Sequence, residues 1–305
     1  MKNPLIKKQH YVWREYLRKW SINDQIPTLF LDIKKIEITN LVNVAQKRFF
    51  YRFNQLSENE INFLKIGIDD SPEPIKGLLN DLLNVQNRLK EVSNHTNKSV
   101  IERLEKNGYE RLHTIIESKG KKLIDCKNLD DLKLFDNDND KSDALIYLTV
   151  QYFRTKKRRD DIKNAQLPLS DVIDFDKIFP IMSLIMALGI AYNLFDVESV
   201  SYTLLEINND STFITADQPV VNLLSELKDE NGKTKELEYY YPLSPKHAIK
   251  VNFEDHQKKY SLMNPHKDEI DKLNNRIISE SNSFVFGRDI EFLKKLHTTR
   301  CIKHS

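Results

Sequence analysis

Ile178 to Phe195 reads IFPIMSLIMALGIAYNLF, a run without a single charged side chain. Its length lies at the lower edge of what crosses a bilayer, about 18 residues. Pro180, Ser183 and Gly189 dilute the run, acidic residues lie close on both sides, and no aromatic belt with basic flanks accompanies it. A helix that is apolar on all faces belongs in a protein centre, so we expect a buried core helix.

Upstream of this run the pattern is mainly helical. Ser57 and Glu60 form a capping-box pattern, and apolar residues three and four apart follow. The residues 28–38 (TLFLDIKKIEI) instead alternate apolar with polar, which predicts one or two short strands. Helices are expected at 9–20, from 57, at 75–92, at 99–118 and at 142–164.

Downstream of the run the pattern becomes β. Short β-branched and aromatic runs such as SVSYTLLEI, STFITAD and HAIKVNF are separated by turn signals. We therefore predict an α+β fold, with a largely helical N-terminal two thirds and a mostly antiparallel, β-rich C-terminal third. Residues 1–305 are expected to form a single domain, with a possible sub-boundary in the loop 119–141 and a β-rich subregion at 200–288.

Composition excludes several classes of protein. The charges nearly balance, with 47 Lys and Arg against 45 Asp and Glu, so no global field recruits nucleic acid or anionic membrane. Two cysteines far apart indicate neither a disulfide framework nor a zinc site. The 7 glycines form no dinucleotide-binding or P-loop pattern. The N-terminus is not a secretory signal, so we expect a cytoplasmic protein without membrane attachment.

The strongest local basic feature is QYFRTKKRR at 151–159. If the helix continues through it, Gln151, Arg154 and Arg158 lie on one face, where they could jointly bind an anion such as phosphate. The alternative is a solvated basic face paired with Asp160 and Asp161.

Three further patterns leave alternatives open. Asp217 follows an apolar strand, where it could be a base, a metal ligand or only a turn residue. Arg88 to His95 (RLKEVSNH) matches the loose Arg and His pattern of a class of metal-independent ribonucleases, but any helix end can produce it. The DNDND run at 136–140 lacks the Gly and Glu of a calcium loop, and a solvated acidic loop is favoured.

Six segments occur in an order that resembles the bacterial family called domain of unknown function 4238. They are QHYVWREYLRKW (9–20), NVAQKRFFY (43–51), LTVQYFRTKKRR (148–159), FITADQPV (213–220), YYPLSPK (240–246) and NRIISESNSFVF (275–286). The matching positions are His10, Tyr11, Val12, Gln151, Arg154, Thr155, Asp217, Pro219, Pro242, Ser244, Pro245 and Asn274 or Asn275. Trp13, Ala216 and Gln218 depart from the family pattern, which puts a role for these three in doubt.

The resemblance implies a bacterial protein of the kind found among phage-defence genes, and it implies no known activity. By analogy with other defence effectors, we expect a toxic effector that acts on RNA or another nucleotide-type phosphate, as a nuclease or nucleotide hydrolase. The expected catalytic residues are His10, Arg154 and Asp217, converging in one cleft, and the expected substrate-binding residues are Gln151, Arg158 and Asn274. The sequence identifies no cofactor, and it leaves metal dependence and oligomeric state open.

The alternative is a non-enzymatic sensor or inhibitor that binds a phage-encoded trigger or a host protein. In that case His10 and Arg154 would be buried and structural. Exposed aromatic residues around Phe49, or at Tyr239 to Tyr241, would mark the partner surface. A regulator that binds a small nucleotide signal is the third possibility.

Overall fold

The computed structural model describes residues 8–52, 54–92, 98–227, 236–252 and 258–303. Within them the helices are α1 (Arg14–Leu17), α2 (Glu58–Asp69), α3 (Glu73–Val92), α4 (Lys98–Lys119), α5 (Lys121–Ile124), α6 (Asp138–Phe153), α7 (Lys156–Ala165), α8 (Phe175–Asp196), α9 (Lys267–Glu280) and α10 (Ile290–Lys303). The strands are β1 (Lys8–His10), β2 (Gln25–Phe30), β3 (Lys35–Asn40), β4 (Gln46–Arg48), β5 (Ser201–Glu206), β6 (Thr215–Ala216), β7 (Val221–Asn222), β8 (Glu238–Pro242), β9 (His247–Asn252), β10 (Tyr260–Met263) and β11 (Phe284–Phe286).

The predicted layout of a largely helical N-terminal two thirds is wrong. Four strands lie between residues 8 and 48, the long helices occupy 58–196, and strands return from 201 onward, so the fold is mixed α/β. The physical reason is pairing over long distances in the chain. Strand β2 lies between its neighbour β3 and the late strand β11, so β2 and β3 belong to a sheet that the C-terminal part completes, whereas β1 and β4 pair with each other.

The chain divides into two compact units that alternate along the sequence. Unit 1 comprises Met1–Tyr11, Gln46–Gly120 and Ser142–Asp196; unit 2 comprises Val12–Ala45, Lys121–Lys141 and Val197–Ser305. The predicted single-domain organisation over residues 1–305 stays a prediction.

Unit 1 is built around the apolar helix α8. Helices α2, α3 and α7 pack against it, and the ring of Phe63 lies edge-on to Phe175 at 5.7 Å. By length and composition α8 could cross a membrane, but 67% of its apolar window is buried in the structure. That burial is typical of the core helix of a soluble protein, as the sequence predicted.

Unit 2 contains two sheets with helices against them. One sheet has the strand order β10-β5-β9-β8-β7 and the other has the order β3-β2-β11-β6. Of the pairs in the described residues, β10 with β5 is parallel and the others are antiparallel. Helix α9 packs on β6 and β7, and α10 packs on β2 and β3, which buries Ile214, Tyr240, Ile277, Val285 and Leu293 in one core cluster.

Local signals explain several helix boundaries. Both bonds of the Ser57 and Glu60 capping box are present at α2, so that prediction is confirmed. The helix predicted over 142–164 is interrupted after Phe153, because the Thr155 side chain accepts from the Arg158 backbone N–H and caps α7. The helix predicted over 9–20 is shorter, because residues 8–10 form strand β1 instead.

Candidate functional site

Gln151 and Arg154 lie side by side inside unit 1, where α6 ends. Gln151 Nε2 and Arg154 Nε both donate to the backbone oxygen of Tyr11, at 2.9 and 3.1 Å, and Arg154 Nη2 donates to Gln151 Oε1 at 3.0 Å. Their exposed fractions are 0% and 1%. These polar groups therefore bind the backbone of Tyr11, and solvent does not reach them in this conformation.

The positive charge of Arg154 is compensated inside unit 1. Arg154 Nη2 lies 2.6 Å from Glu117 Oε1, and only 15% of the Glu117 side chain is exposed. The hydroxyl of Tyr51 donates to the Arg154 backbone oxygen at 3.1 Å. Removing Glu117 alone would leave this buried guanidinium without a counter-charge, which is far more costly than replacing both charged side chains by apolar ones.

His113 lies against this ion pair. Its ring centroid is 4.1 Å from that of Tyr51, and the side chain is buried. Burial, and then the positive charge of Arg154, holds the pKa of His113 well below its ordinary value. The imidazole is therefore neutral in the folded protein at neutral pH.

Protein stability should fall as the pH is lowered because of His113. Below its ordinary pKa of about 6.5 the unfolded chain binds a proton that the folded protein rejects, so the free energy of unfolding decreases by up to ~1.4 kcal/mol per pH unit. His113→Phe should remove this contribution. Urea unfolding of both proteins between pH 7.5 and 5 measures it, and equal pH dependence in the two would contradict the assignment.

His10 and Arg158, the other predicted site residues of unit 1, are partly exposed. His10 ends β1 opposite Gln46 of β4. Arg158 Nη1 lies 3.1 Å from Asp161 Oδ2, and its guanidinium lies 4.3 Å from the ring centroid of Tyr152. Because the helix breaks before Thr155, Arg158 belongs to α7 and the predicted continuous helical face is not formed.

Asp217 and Asn274 lie in unit 2, and both bind backbone. The Asp217 carboxylate accepts from the N–H groups of Asn282 and Ser283 at 2.9 and 2.8 Å. Asn274 accepts from the Ile214 N–H at 3.0 Å and donates to the Thr212 oxygen at 2.9 Å. The predicted set thus divides into His10, Gln151, Arg154 and Arg158 in unit 1 and this pair in unit 2, and their catalytic and substrate-binding roles stay predictions.

The aromatic segments proposed as partner surfaces are largely buried, so that expectation is wrong. Phe50, Tyr51 and the three tyrosines 239–241 are at most 4% exposed. Phe49 is half-buried, with Arg48 and Lys106 stacked over its ring at 5.1 and 4.9 Å. Of the Arg88 to His95 pattern, Arg88 is exposed on α3 and His95 lies outside the described residues.

Unit 2 holds a pocket of about 530 Å³, here called the cationic pocket. Its basic lining residues are Lys19, Lys127, Lys246, His247 and Arg288. No Asp or Glu of the described ranges lines it. Its volume lies within the roughly 300–1,000 Å³ of small-molecule sites.

Two of these cations have charges available for a ligand. Lys19 pairs with Asp125, and Lys246 Nζ donates to the backbone oxygens of Asn209 and Ser211. Lys127 and Arg288 are exposed, and neither side chain forms an ion pair within the part of the chain that the structure describes. The pocket therefore presents uncompensated positive charge to an anion.

Ser244 and His247 form one wall of the cationic pocket. They lie in the turn from β8 to β9, where the Leu243 and Ser244 N–H groups donate to the His247 oxygen. The Ser244 hydroxyl lies 3.1 Å from His247 Nδ1, and His247 Nε2 lies 3.9 Å from Glu206 Oε1. The register of β5 with β9 places Glu206 directly opposite His247 and so fixes this geometry.

Other polar groups near the pocket are less suited to chemistry. Burial, and then Asp131 and Asp125, raises the pKa of the Cys126 thiol to about 12, so it stays protonated. In the DNDND run, Asp136 binds Lys259 and Tyr260 while Asp140 binds Lys122. No group of three His, Cys, Asp or Glu residues that could hold a metal ion occurs in the described ranges.

Sequence reasoning missed most of the cationic pocket. It selected Ser244 and Pro245 only as positions that match the family, and His247 only as the start of a strand. Lys127 and Arg288 belong to no motif, since a single exposed cation has no sequence pattern. Only the strand register, which depends on non-local pairing, brings Glu206 to His247.

Comparison with known proteins identifies the family and nothing more specific. No curated protein and no solved structure is significantly similar to the chain. The family described as "Protein of unknown function (DUF4238)" matches residues 8–291, nearly the whole chain. The resemblance in the ordered segments is thereby confirmed, and the chain belongs to the DUF4238 family of proteins of unknown function.

Proposed function

We propose that this protein is a cytoplasmic bacterial anti-phage defence effector, toxic when triggered, that hydrolyses a nucleotide-type phosphate bound in the cationic pocket. The observation that carries the proposal is the concentration of positive charge in a pocket that no described acidic residue lines. The defence role rests on the resemblance alone. The pocket supports the part of the proposal that concerns the ligand.

The charge on the pocket suits a phosphate group. A terminal phosphate carries about −1.5 to −2 charges near neutral pH and has three strong acceptor oxygens. Lys127 and Arg288 supply donors at the rim, and each charge-assisted hydrogen bond is worth about 1.5–3 kcal/mol. The apolar side of the pocket, formed by Ile22, Ile124 and Pro245, would contact the remainder of the ligand.

The electrostatic effect is local. The chain has a formal net charge of only +2, so its overall field does not attract polyanions strongly. Two uncompensated cations at one opening attract an anion over about one Debye length, roughly 8 Å at physiological salt. A pocket of this size, about 530 Å³, accommodates a mononucleotide or the end of an RNA chain.

Reversing both free charges should abolish ligand binding and protection. The variant Lys127→Glu/Arg288→Glu replaces two attractive contacts by two repulsive ones, so affinity for AMP and for inorganic phosphate should fall at least about 100-fold. Titration calorimetry measures binding, and phage plating on expressing cells measures protection. Both should be lost while the melting temperature changes little, because both side chains are exposed.

The matched control is Arg14→Glu/Lys272→Glu. It reverses one exposed arginine and one exposed lysine of the same unit that do not line the pocket, so net charge changes equally. The control should bind and protect like the wild type. Wild-type affinity and protection in the pocket variant would refute the proposed ligand site.

The non-enzymatic sensor is the second candidate, because the matched residues Gln151, Arg154, Asp217 and Asn274 are buried and bind backbone. Under this alternative those residues maintain the fold, and protection needs a protein contact but no hydrolysis. It is favoured if the pocket variant still protects and the wild type copurifies with one phage protein from infected cells.

A further inference from the structure

We propose that Ser244 is the nucleophile of the cationic pocket and that His247 is its general base, in a phosphoryl transfer to serine. This inference rests on the proposed function, since the pocket cations would bind the phosphate that Ser244 attacks. The carrying observation is geometric: the Ser244 hydroxyl, the His247 ring and the Glu206 carboxylate lie in series beside the cationic wall.

The charge of Glu206 favours the tautomer that the reaction needs. The carboxylate faces His247 Nε2 at 3.9 Å, which favours a proton on that nitrogen. Nδ1 then carries the lone pair, and it is this atom that lies 3.1 Å from Ser244 Oγ. The arrangement has the Ser, His and acid roles of the hydrolase triads, with the two ring nitrogens exchanged. Glu206 is a positioning residue.

The base is available at neutral pH. Burial is the largest influence on the pKa of His247 and lowers it; Glu206 and Asp131 oppose this effect, and Lys127 adds to it. The outcome is a lowered pKa, so the neutral imidazole that can accept a proton predominates.

The turn stabilises the serine in its reactive form. The backbone N–H groups of Lys246 and His247 both donate to Ser244 Oγ, at 3.2 and 3.0 Å. These donors favour the negative charge that develops on Oγ when its proton leaves. An ordinary turn serine accepts such bonds too, but it has no imidazole lone pair and no cationic pocket beside it.

The reaction balances without an added reagent other than water. Ser244 Oγ attacks phosphorus, the Oγ–P bond forms, and the P–O bond to the leaving alcohol breaks. The Oγ proton passes to His247 Nδ1 and then to the leaving oxygen. Water next attacks the phosphoserine while His247 takes its proton; the Oγ–P bond breaks, that proton passes from His247 to Ser244 Oγ, and phosphate leaves. Lys127 and Arg288 would neutralise the transferred group.

Labelling with a fluorophosphonate tests the assignment. In that reaction an Oγ–P bond forms, the P–F bond breaks and HF is released. Mass spectrometry of the intact protein and its peptides should find one modification, at Ser244, and none in Ser244→Ala. His247→Gln should slow labelling at least tenfold, since general base catalysis is worth about 10²–10⁴-fold. AMP should protect the wild type.

Further measurements separate chemistry from folding and from ligand binding. Glu206→Gln should move the midpoint of the pH–rate profile for labelling to lower pH, because the Glu206 charge raises the pKa of His247; an unmoved midpoint would show that His247 is not the base. If Ser244→Ala does not fold, the site of labelling in the wild type and the labelling rate of His247→Gln together test the assignment. Absence of labelling at Ser244, or an equal rate in folded His247→Gln, overturns the inference. AMP binding without labelling would overturn the roles of Ser244 and His247 and would still support the proposed ligand site. Labelling at Ser244 without AMP binding or protection would support Ser244 as the nucleophile and exclude a nucleotide-type phosphate as the ligand.

Discussion

Replacing Glu117 by Gln is expected to lower the free energy of unfolding by about 3–5 kcal/mol, because it leaves a buried guanidinium without its counter-charge. Arg154 is 1% exposed and has Glu117 Oε1 at 2.6 Å as its ion-pair partner. Its bonds to Tyr11 and Gln151 use neutral acceptors, which compensate a positive charge only in part. Urea unfolding at pH 7 measures the loss.

The control is Glu226→Gln, the same chemical change in an exposed pair. Glu226 binds Arg276, but its side chain is 84% exposed and Arg276 also pairs with Glu280, so the loss should stay below about 1 kcal/mol. If Glu117→Gln and Glu226→Gln cost the same, the Arg154 charge is compensated in some other way.

A double variant separates stability from catalysis at Arg154. Arg154→Met/Glu117→Leu removes both charges together, and buried ion pairs replaced by apolar side chains of similar size often recover stability. The double variant should therefore be more stable than Glu117→Gln. If it folds and still protects cells against phage, the predicted catalytic role of Arg154 is excluded; if it folds and protection is lost, that role gains support.

Local features of the fold could be predicted from the sequence. The Ser57 and Glu60 capping box involves residues three apart, and the alternation at 28–38 marks β2 and β3, which form a hairpin. Helix α8 is evident from composition alone. The break at Thr155 could not be predicted, because the lysines and arginines that follow it are good helix formers and suggest one continuous helix. Thr155 in fact caps a new helix, α7.

Features that depend on distant pairing could not be predicted. The strand β2 meets β11, more than 240 residues later in the chain, and no periodicity in either segment encodes that partner. The same holds for the candidate site. Ser244 and His247 are near neighbours in sequence, yet Glu206 and Arg288 join them only through the fold.

Asp217→Ala should cost about 2–4 kcal/mol of stability, since it leaves two backbone N–H groups without their acceptor. The Asp217 carboxylate binds the N–H groups of Asn282 and Ser283 directly before β11, and the Asp217 N–H pairs with the Phe284 oxygen. The carboxylate therefore fixes the approach of β11 to β6. Asp210→Ala, at an exposed loop position, should change stability by no more than about 0.5 kcal/mol.

The Asn variant decides between the two interpretations of Asp217. Asn keeps the shape and one acceptor oxygen, but its amide group faces an N–H donor, so a structural Asp217 loses stability and phage protection together in Asp217→Asn. A catalytic carboxylate would instead lose protection with an unchanged unfolding midpoint. Unfolding and plating measured on the same preparations distinguish these results. We expect the structural result, because Asp217 is 1% exposed and its carboxylate binds two backbone N–H groups.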